Sequence, residues 1–239
     1  MMALSILILA AGQHEADDPS PIYLAESGGT TVLELIFEKY MALNPTEIAI
    51  CFLKSDIQRS NVDRVAKLLS PDAEIIEIER DTGGSGCTAL FGACQLPQQN
   101  ELLIVSANEM INIALEPALN DFRERQLDGA TLTFHSTNPR YSFVKMDEYG
   151  RVVEAAQQNP ISTNATVGLF WYARAEYFVE AAKQMIIKNA KINDRFFIAP
   201  AFNEMILKEK YVGVTQINKS DYSPLKTSAQ RKLFEEGQI

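Results

Sequence analysis

The amino-acid sequence predicts an α/β protein with a doubly wound, mostly parallel sheet and a small antiparallel addition. Through the first half, apolar runs of strand length alternate with helical patterns, which is typical of βαβ units. After Gly129 the pattern changes to closely spaced strands separated by turn residues, such as those at 147–150. The chain has 239 residues, of which 46% are hydrophobic, and this length suits a single domain over residues 1–239.

The elements of the first half follow from the spacing of their apolar residues. Short apolar runs bounded by polar residues predict strands, and apolar residues spaced three or four apart predict helices. The strands predicted on this basis cover residues 3–9, 47–53, 74–78 and 102–106. The predicted helices cover residues 31–42, 55–69 and 87–95.

The second half begins with four predicted strands at short intervals. They cover residues 130–135, 141–146, 151–155 and 165–172. We expect these hairpin-like strands to form an added antiparallel layer over a pocket. The remaining predicted elements are helices at 174–188 and 196–208, a strand at 211–217 and a polar, helical tail.

Charge and hydropathy exclude several classes of function. The formal net charge of −9 disfavours nonspecific binding to nucleic acid or to an anionic membrane, and leaves a small anionic ligand in a local basic site. The longest apolar stretch, 3–11, is far shorter than the roughly 20 residues of a membrane helix and lacks the positive flank of a signal peptide. We therefore expect a cytoplasmic protein. The cysteines Cys51, Cys87 and Cys94 lie in apolar surroundings without metal-ligand spacing, which predicts buried, reduced thiols.

Two glycine-containing turns are candidates for ligand contact. Gly12 follows the first strand, where it suits a phosphate-binding turn, although any β-to-α turn can use the backbone freedom of glycine. The stretch 82–88 places glycines ahead of a helix, so that it is either a site for a base or phosphate or a flexible surface loop. The segment after Gly12 contains Glu15, Asp17 and Asp18, whose negative charges oppose a phosphate.

Several ordered motifs resemble one family of enzymes. They are ILILAAG near the start, ATLTF at 130–134, NPRYSFVKMDEYGRVVEAAQQNPISTNATVGLFWY after it, and then FVEAAKQMI and NDRFFIAPAFNEMI. These motifs span most of the chain and resemble the sugar-phosphate nucleotidyltransferases of bacterial surface-polysaccharide pathways. The resemblance implies a nucleotide-binding fold of the glycosyltransferase-A kind. It also implies a reaction in which a sugar 1-phosphate attacks a nucleoside triphosphate, giving a nucleotide sugar and pyrophosphate.

The resemblance also implies roles for particular residues. Residues 1–129 would form the nucleotide-binding half, and residues 130–239 the sugar-phosphate-binding half. The implied nucleotide-binding residues are Ala10, Ala11, Gly12, Gly84, Gly86, Thr88 and Asn108. The implied sugar-phosphate-binding residues are Gln158, Asn164, Gly168 and Asn193. If the protein is active, Lys145 and Arg195 are the catalytic candidates, and Glu109 and Asp194 are the candidates for holding Mg²⁺.

Each of these roles has a structural alternative. Lys145 could be a solvated surface charge, and Asp194 could be no more than the cap of a helix that begins near Arg195. Gly168 marks either a close approach of a ligand to the backbone or a β-bulge. His135, like His14, has no spaced partner and is assigned no role.

The sequence departs from the family pattern where cations and metal are expected. The loop arginine is absent, Ile22 stands in place of the loop lysine, and Asn108 in place of the metal-binding aspartate. Gln158 replaces a lysine that the family uses to contact the sugar phosphate. The acidic residues Glu15, Asp17 and Asp18 add to this loss of positive charge. A carboxylate about 6 Å from a phosphate, at a dielectric near 20, repels it by roughly 3 kcal/mol, which is as much as one charge-assisted hydrogen bond contributes.

Three hypotheses follow from these departures. The first is a nucleotidyltransferase homologue with impaired catalysis that acts by binding a nucleotide, sugar phosphate or nucleotide sugar, with an active pathway enzyme or a second copy as its partner. The second is a working nucleotidyltransferase with a rearranged site. The third is a glycosyltransferase on the same fold, which the missing Asp-x-Asp metal motif disfavours.

Overall fold

The structure is a computed structural model that describes residues 3–12 and 20–238. Its strands are β1 (Leu4–Ala10), β2 (Glu26–Ser27), β3 (Thr30–Thr31), β4 (Glu47–Leu53), β5 (Glu74–Ile78), β6 (Glu101–Ser106), β7 (Glu109–Ile111), β8 (Gly129–His135), β9 (Ser142–Met146), β10 (Val152–Gln157), β11 (Asn164–Tyr172), β12 (Val212–Gln216) and β13 (Tyr222–Pro224). Its α-helices are α1 (Val32–Met41), α2 (Lys54–Ser60), α3 (Val62–Leu69), α4 (Ser85–Ala93), α5 (Glu116–Glu124), α6 (Ala175–Ile187), α7 (Ala201–Ile206) and α8 (Ser228–Glu235).

Four strands from the first half form the parallel part of the central sheet, in the order β5, β4, β1, β6. Ile6 of β1 lies between Ile48 and Leu103 of the neighbouring strands, and its side chain is fully buried. Helices cover both faces, so these strands are apolar along their whole length rather than alternating. The α/β fold class that the sequence predicts is confirmed.

The strands of the second half extend the same sheet. β11 pairs antiparallel with β6, β8 and β9, β10 pairs with β9, and β12 adds in parallel to β8. The antiparallel addition that the sequence predicts is therefore confirmed, but it extends the main sheet instead of forming a layer over a pocket. The nine-residue β11 is long enough to pair with β6 near its end while its start lies beside β9, and this places the hairpin at the edge of the main sheet.

Two apolar clusters lie on the two faces of the sheet. On one face Ile6 and Ile8 pack with Phe37 of α1, and on the other Leu7 packs with residues of α4 and α6, including Met185. The alternation of successive side chains along β1 separates the clusters. Of the helices that the structure describes, none is long and apolar enough to cross a membrane.

Two predicted helices differ from the observed ones. The helix predicted at 55–69 is divided into α2 and α3, because Asn61 adopts a left-handed conformation with φ 49°. The helix predicted at 196–208 is only Ala201–Ile206, because the residues before Pro200 instead bond to the turn that precedes α4. Among the described strands and α-helices, five are not predicted from the sequence: α5 and the short strands β2, β3, β7 and β13.

The cysteines are unpaired, but only one is buried, so the prediction of three buried thiols is wrong. Cys51 lies inside β4, where burial raises its pKa to about 12. Cys87 is half-buried, and Cys94 is exposed because it follows the last turn of α4 at the surface.

Candidate ligand-binding site

A cavity of about 280 Å³ opens at the carboxyl ends of β1 and β6, the edge at which open parallel sheets bind ligands. We call it the first cavity. Its lining comes from six parts of the chain: Leu9, Ala10, Ala11 and Gly12; Ser20, Ile22 and Tyr23; Asp81, Thr82, Gly84, Ser85 and Thr88; Ser106, Ala107 and Asn108; Arg195 and Phe197; and Leu225, Lys226, Thr227, Ser228 and Arg231. The acidic residues Glu15, Asp17 and Asp18 lie outside the described residues, as does His14.

Most of the implied nucleotide-binding residues line the first cavity. Those that do are Ala10, Ala11, Gly12, Gly84, Thr88 and Asn108. Gly86 lies beneath the cavity wall, where its N–H donates to the carbonyl of Phe196 at 2.9 Å and a Cβ would meet the carbonyl oxygen of Phe197 at 3.0 Å. Gly86 therefore gives helix α4 room to pack rather than facing the cavity.

The glycine-rich turn before α4 is held by hydrogen bonds to the segment around Phe196 and within the turn itself. The N–H of Phe196 donates to the carbonyl of Gly83 at 2.8 Å. Gly84 has φ 120°, and a Cβ at this position would clash with the backbone oxygen of Phe196. The Thr82 hydroxyl lies 2.7 Å from that of Thr88 and donates to the Gly84 carbonyl at 2.9 Å. These contacts bring the segment that carries Arg195 and Phe197 to the cavity.

Arg195, a catalytic candidate, faces the first cavity but is already bound. Its guanidinium makes a two-pronged contact with Asp81, with nitrogen–oxygen distances of 2.5 and 3.4 Å. Both side chains are about 40% exposed (40% and 38%), so that the pair lies at the mouth of the cavity. The cation is held in position, and its charge is largely balanced within the protein.

One wall of the cavity is apolar. Ile22, which stands where the family has a lysine, lines the cavity beside Tyr23, Phe197 and Leu225. The Tyr23 hydroxyl donates to the buried carboxylate of Asp56 at 2.8 Å. Burial, together with Asp56, raises the pKa of this tyrosine, so that it stays neutral. This wall can accept a flat or apolar group but offers no charge to a phosphate.

A further part of the lining comes from the C-terminal segment, which we define as residues 222–238. Its strand β13 pairs with β7, and the N–H of Leu225 donates to the carbonyl of Asn108 at 2.8 Å. Arg231 on α8 donates to Glu235 at 2.8 Å and to the carbonyl of Ser20 at 3.1 Å. The sequence predicts only a polar, helical tail here and does not indicate that its residues line a cavity.

A local signal for this part of the lining does exist in the sequence. Thr227 precedes α8, and its side chain accepts from the N–H of Gln230 at 3.3 Å. The Thr-x-x-Gln spacing is typical of a helix start. This spacing predicts that Lys226 and Ser228 lie at the start of a helix. It does not predict which part of the sheet that helix start contacts.

Glu109, a metal candidate, is bound by the protein itself. Its carboxylate forms an ion pair with Lys226 and accepts from the backbone N–H of Gly168, and its side chain is only 4% exposed. A Cβ at Gly168 would lie 2.6 Å from this carboxylate. The pairing of β11 with β8 also shifts register between Thr166 and Phe170. Gly168 therefore combines a β-bulge with a close approach, and the approaching group is Glu109.

The implied sugar-phosphate residues lie apart from the first cavity. Gln158 and Asn193 line a second cavity of about 570 Å³ between β10, α6 and α7, where the Asn193 amide donates to the Gln158 carbonyl at 2.7 Å. Asn164 begins β11 opposite His135. Lys145 is an exposed residue of β9 opposite Glu154. Neither Asn164 nor Lys145 lines either of the two cavities.

The described residues fit a magnesium ion poorly. Mg²⁺ prefers several oxygen ligands, chiefly carboxylates, in octahedral geometry. Asp81 is the one carboxylate among the described residues that lines the first cavity, and it is bound to Arg195. Asp194 is exposed on a loop with φ 60°, and no three His, Cys, Asp or Glu side chains of the described residues come together as a metal site. We therefore derive no chemical step through a metal.

Comparisons with known proteins give matches at the level of structure. No protein-family model matches the chain, and no curated protein matches its sequence. A nucleoside-diphosphate-sugar pyrophosphorylase from Vibrio cholerae RC9 superposes with a TM-score of 0.84 at 21% identity, covering 97% of this chain and 99% of that one. A protein from Bacillus anthracis, assigned as a glucose-1-phosphate thymidylyltransferase and solved with sucrose, gives 0.76 at 14% identity, covering 99% of this chain and 95% of that one. The chain thus has the fold of these two proteins over nearly its whole length, which agrees with the resemblance of its sequence motifs.

Proposed function

We propose that the protein is a nucleotidyltransferase homologue that binds a nucleotide, sugar phosphate or nucleotide sugar in the first cavity and has little transferase activity. The observation that supports the proposal is the position of the cavity together with the pairing of its cationic side chains. The cavity lies at the edge of the sheet where this fold class binds nucleotides, yet Arg195 and Lys226 are each paired with a carboxylate of the protein.

This pairing opposes catalysis for a physical reason. Phosphoryl transfer moves negative charge onto phosphoryl oxygens, and it is accelerated by cations that are positioned to receive that charge. If Lys226 turned to a phosphate, Glu109 would be left buried without its counterion, which is costly. If Arg195 did so, Asp81 would repel the same phosphate.

The apolar wall supports the same conclusion. Ile22 faces the cavity at the position of the family's lysine, so the missing cation is not replaced at that place. Asn108 also lines the cavity, and its amide is a weaker ligand for a hard cation than a carboxylate. The cavity thus keeps its place and its hydrogen-bonding groups while its electrostatics have changed.

Two measurements test the proposal. Thermal unfolding should show that at least one nucleotide, sugar phosphate or nucleotide sugar stabilises the protein. A ligand at 100 times its dissociation constant adds about 2.7 kcal/mol, or roughly 5–10 °C for a chain of this size. Pyrophosphate release from nucleoside triphosphates and sugar 1-phosphates with Mg²⁺ should be absent or far below the usual 1–10³ s⁻¹.

A pair of matched variants connects the binding to the first cavity. Ser85 is an exposed residue that lines the cavity in the first turn of α4, so Ser85→Phe should obstruct the cavity and abolish the thermal shift. Ser55, an exposed residue in the first turn of α2 and away from the cavity, provides the control Ser55→Phe. Equal shifts in both variants, or no ligand at all, would contradict the proposal.

The second candidate function is an active nucleotidyltransferase with a rearranged site. The observation that favours it is the placement of Arg195 at the mouth of the cavity, where it could meet a phosphate. Pyrophosphate release at ordinary enzyme rates, lost in Arg195→Met, would establish this function and displace the first. In the binding proposal, the protein acts in the cytoplasm beside an active enzyme of a surface-polysaccharide pathway.

A further inference from the structure

The cationic side chains that line the first cavity share one property. Among the described residues they are Arg195, Lys226 and Arg231, and each is paired with a carboxylate. Arg195 holds Asp81 at 2.5 Å, and Arg231 holds Glu235 at 2.8 Å. The third pair joins Lys226 to Glu109, and Glu109 is the most buried of the three carboxylates.

The charges of these three ion pairs sum to about zero. Of the three carboxylates only Asp81 lines the cavity itself, whereas Glu109 and Glu235 contact the lining cations without lining it. The other polar groups of the described lining are neutral, such as Thr88 and Asn108. Each lining cation therefore shares its charge with a carboxylate of the protein rather than offering all of it to a ligand.

We infer that the first cavity selects ligands of low negative charge, so that a nucleoside or nucleoside monophosphate binds at least as well as the triphosphate of the same base. The inference rests on the proposed function and specifies its ligand class. A neutral ligand keeps all three ion pairs and can use the hydroxyl and amide groups and the apolar wall. A triphosphate has to compete with Asp81 for Arg195, because one guanidinium cannot fully serve both anions.

Calorimetric titration tests the inference directly. The probes are thymidine, its mono- and triphosphate, and the corresponding series for uridine, cytidine, adenosine and guanosine, all in EDTA. For the base that binds, the triphosphate should bind no more tightly than the nucleoside, within a margin of about 3-fold, and 0.5 M salt should change the nucleoside affinity little. A triphosphate that binds more than 3-fold more tightly than its nucleoside overturns the inference.

Releasing one cation should change the selectivity. In Asp81→Asn the Arg195 guanidinium loses its carboxylate, and we expect the triphosphate to gain about 10-fold in affinity while the nucleoside stays within 2-fold. Asp72→Asn removes the same charge at an exposed position away from the cavity and should leave both affinities unchanged. Glu235→Gln, which removes the carboxylate that Arg231 contacts at 2.8 Å, provides a second variant with the same expected direction of change.

The outcomes separate the inference from the proposed function. If the triphosphate is the tightest ligand but no pyrophosphate is released, the inference is wrong and the binding function stands. If pyrophosphate is released at enzyme rates while the affinities stay flat across the phosphate series, the charge selectivity stands and the binding-only function is wrong. If no probe binds, or if Asp81→Asn and Asp72→Asn behave alike, the inference is overturned.

Discussion

The ion pair between Lys226 and Glu109 holds the C-terminal segment across the edge of the sheet, and Lys226→Met should break it. The substitution keeps a long apolar stem but leaves a nearly buried carboxylate without its counterion, beside the N–H of Gly168 and the side chain of Tyr222. Removing one member of a buried pair costs about 3–5 kcal/mol, and of an exposed pair about 0–1 kcal/mol. Because the lysine is 44% exposed and the glutamate 4%, we expect a loss of about 2–3 kcal/mol.

The assay is urea-induced unfolding with linear extrapolation, supported by thermal scans in which the expected loss lowers Tm by roughly 4–12 °C. Glu109→Gln keeps a hydrogen-bond acceptor for Gly168 but removes the charge. The double variant Lys226→Met/Glu109→Gln should therefore be more stable than Lys226→Met alone by about 1 kcal/mol or more. Lys232, 76% exposed on α8, provides the control Lys232→Met, which should cost less than about 0.5 kcal/mol.

Two results would refute this reasoning. If Lys226→Met unfolds within 0.5 kcal/mol of the wild type, the buried carboxylate does not depend on the lysine. If the effects of Lys226→Met and Glu109→Gln simply add, the two charges are not coupled in the folded state. In either case the C-terminal segment would have to be held by its other contacts, such as the β13–β7 pairing and the hydrogen bonds of Leu225 and Arg231.

Three further predictions concern single positions. Gly84→Ala should destabilise the protein by more than about 2 kcal/mol in urea unfolding, because its Cβ would clash with a backbone carbonyl; a neutral result would mean that the turn before α4 is loose. Thr31→Ala should cost about 1 kcal/mol in urea unfolding by removing the hydroxyl part of the capping box of α1; a neutral result would refute the cap. The backbone N–H and the hydroxyl of Thr31 donate to Glu34 and lower its pKa, so the stabilisation from the Glu34 carboxylate is present at neutral pH and should be lost as the pH falls through that lowered value. In thiol labelling at pH 8, Cys94 should react in the native protein and Cys51, whose pKa burial raises to about 12, only after unfolding; early reaction of Cys51 would show that β4 opens.

The sequence predicts the parallel part of the sheet well because its strands are recognisable locally. β4 and β5 have the predicted bounds, and β1 is displaced by a single residue. Elements whose formation depends on distant partners were missed. β7 and β13 have three residues each and exist because they pair with each other across more than 100 positions of the chain. Asn61, which divides a predicted helix, is a polar residue whose left-handed conformation has no strong local signature.

The candidate site also combines residues that local patterns identify with residues that only tertiary contacts bring to it. The glycines of the 82–88 stretch and the end of β1 could be assigned to a cavity because turns at the carboxyl edge of a sheet are identified by local patterns. Lys226 and Arg231 could not, since they reach the cavity through tertiary pairing. For Glu109 the sequence could suggest a metal ligand, but only the fold shows that a lysine from the C-terminal segment occupies its carboxylate.

The position of the C-terminal segment also links ligand binding to local unfolding. Residues 225–228 form one wall of the first cavity, so the cavity is complete only while this segment is docked. A ligand held there binds the docked form alone, and it should slow amide hydrogen exchange in α8 and β13 in proportion to its occupancy. The coupling is reciprocal: a protein that captured the undocked segment would expel the ligand, and the ligand would oppose that capture with the same free energy.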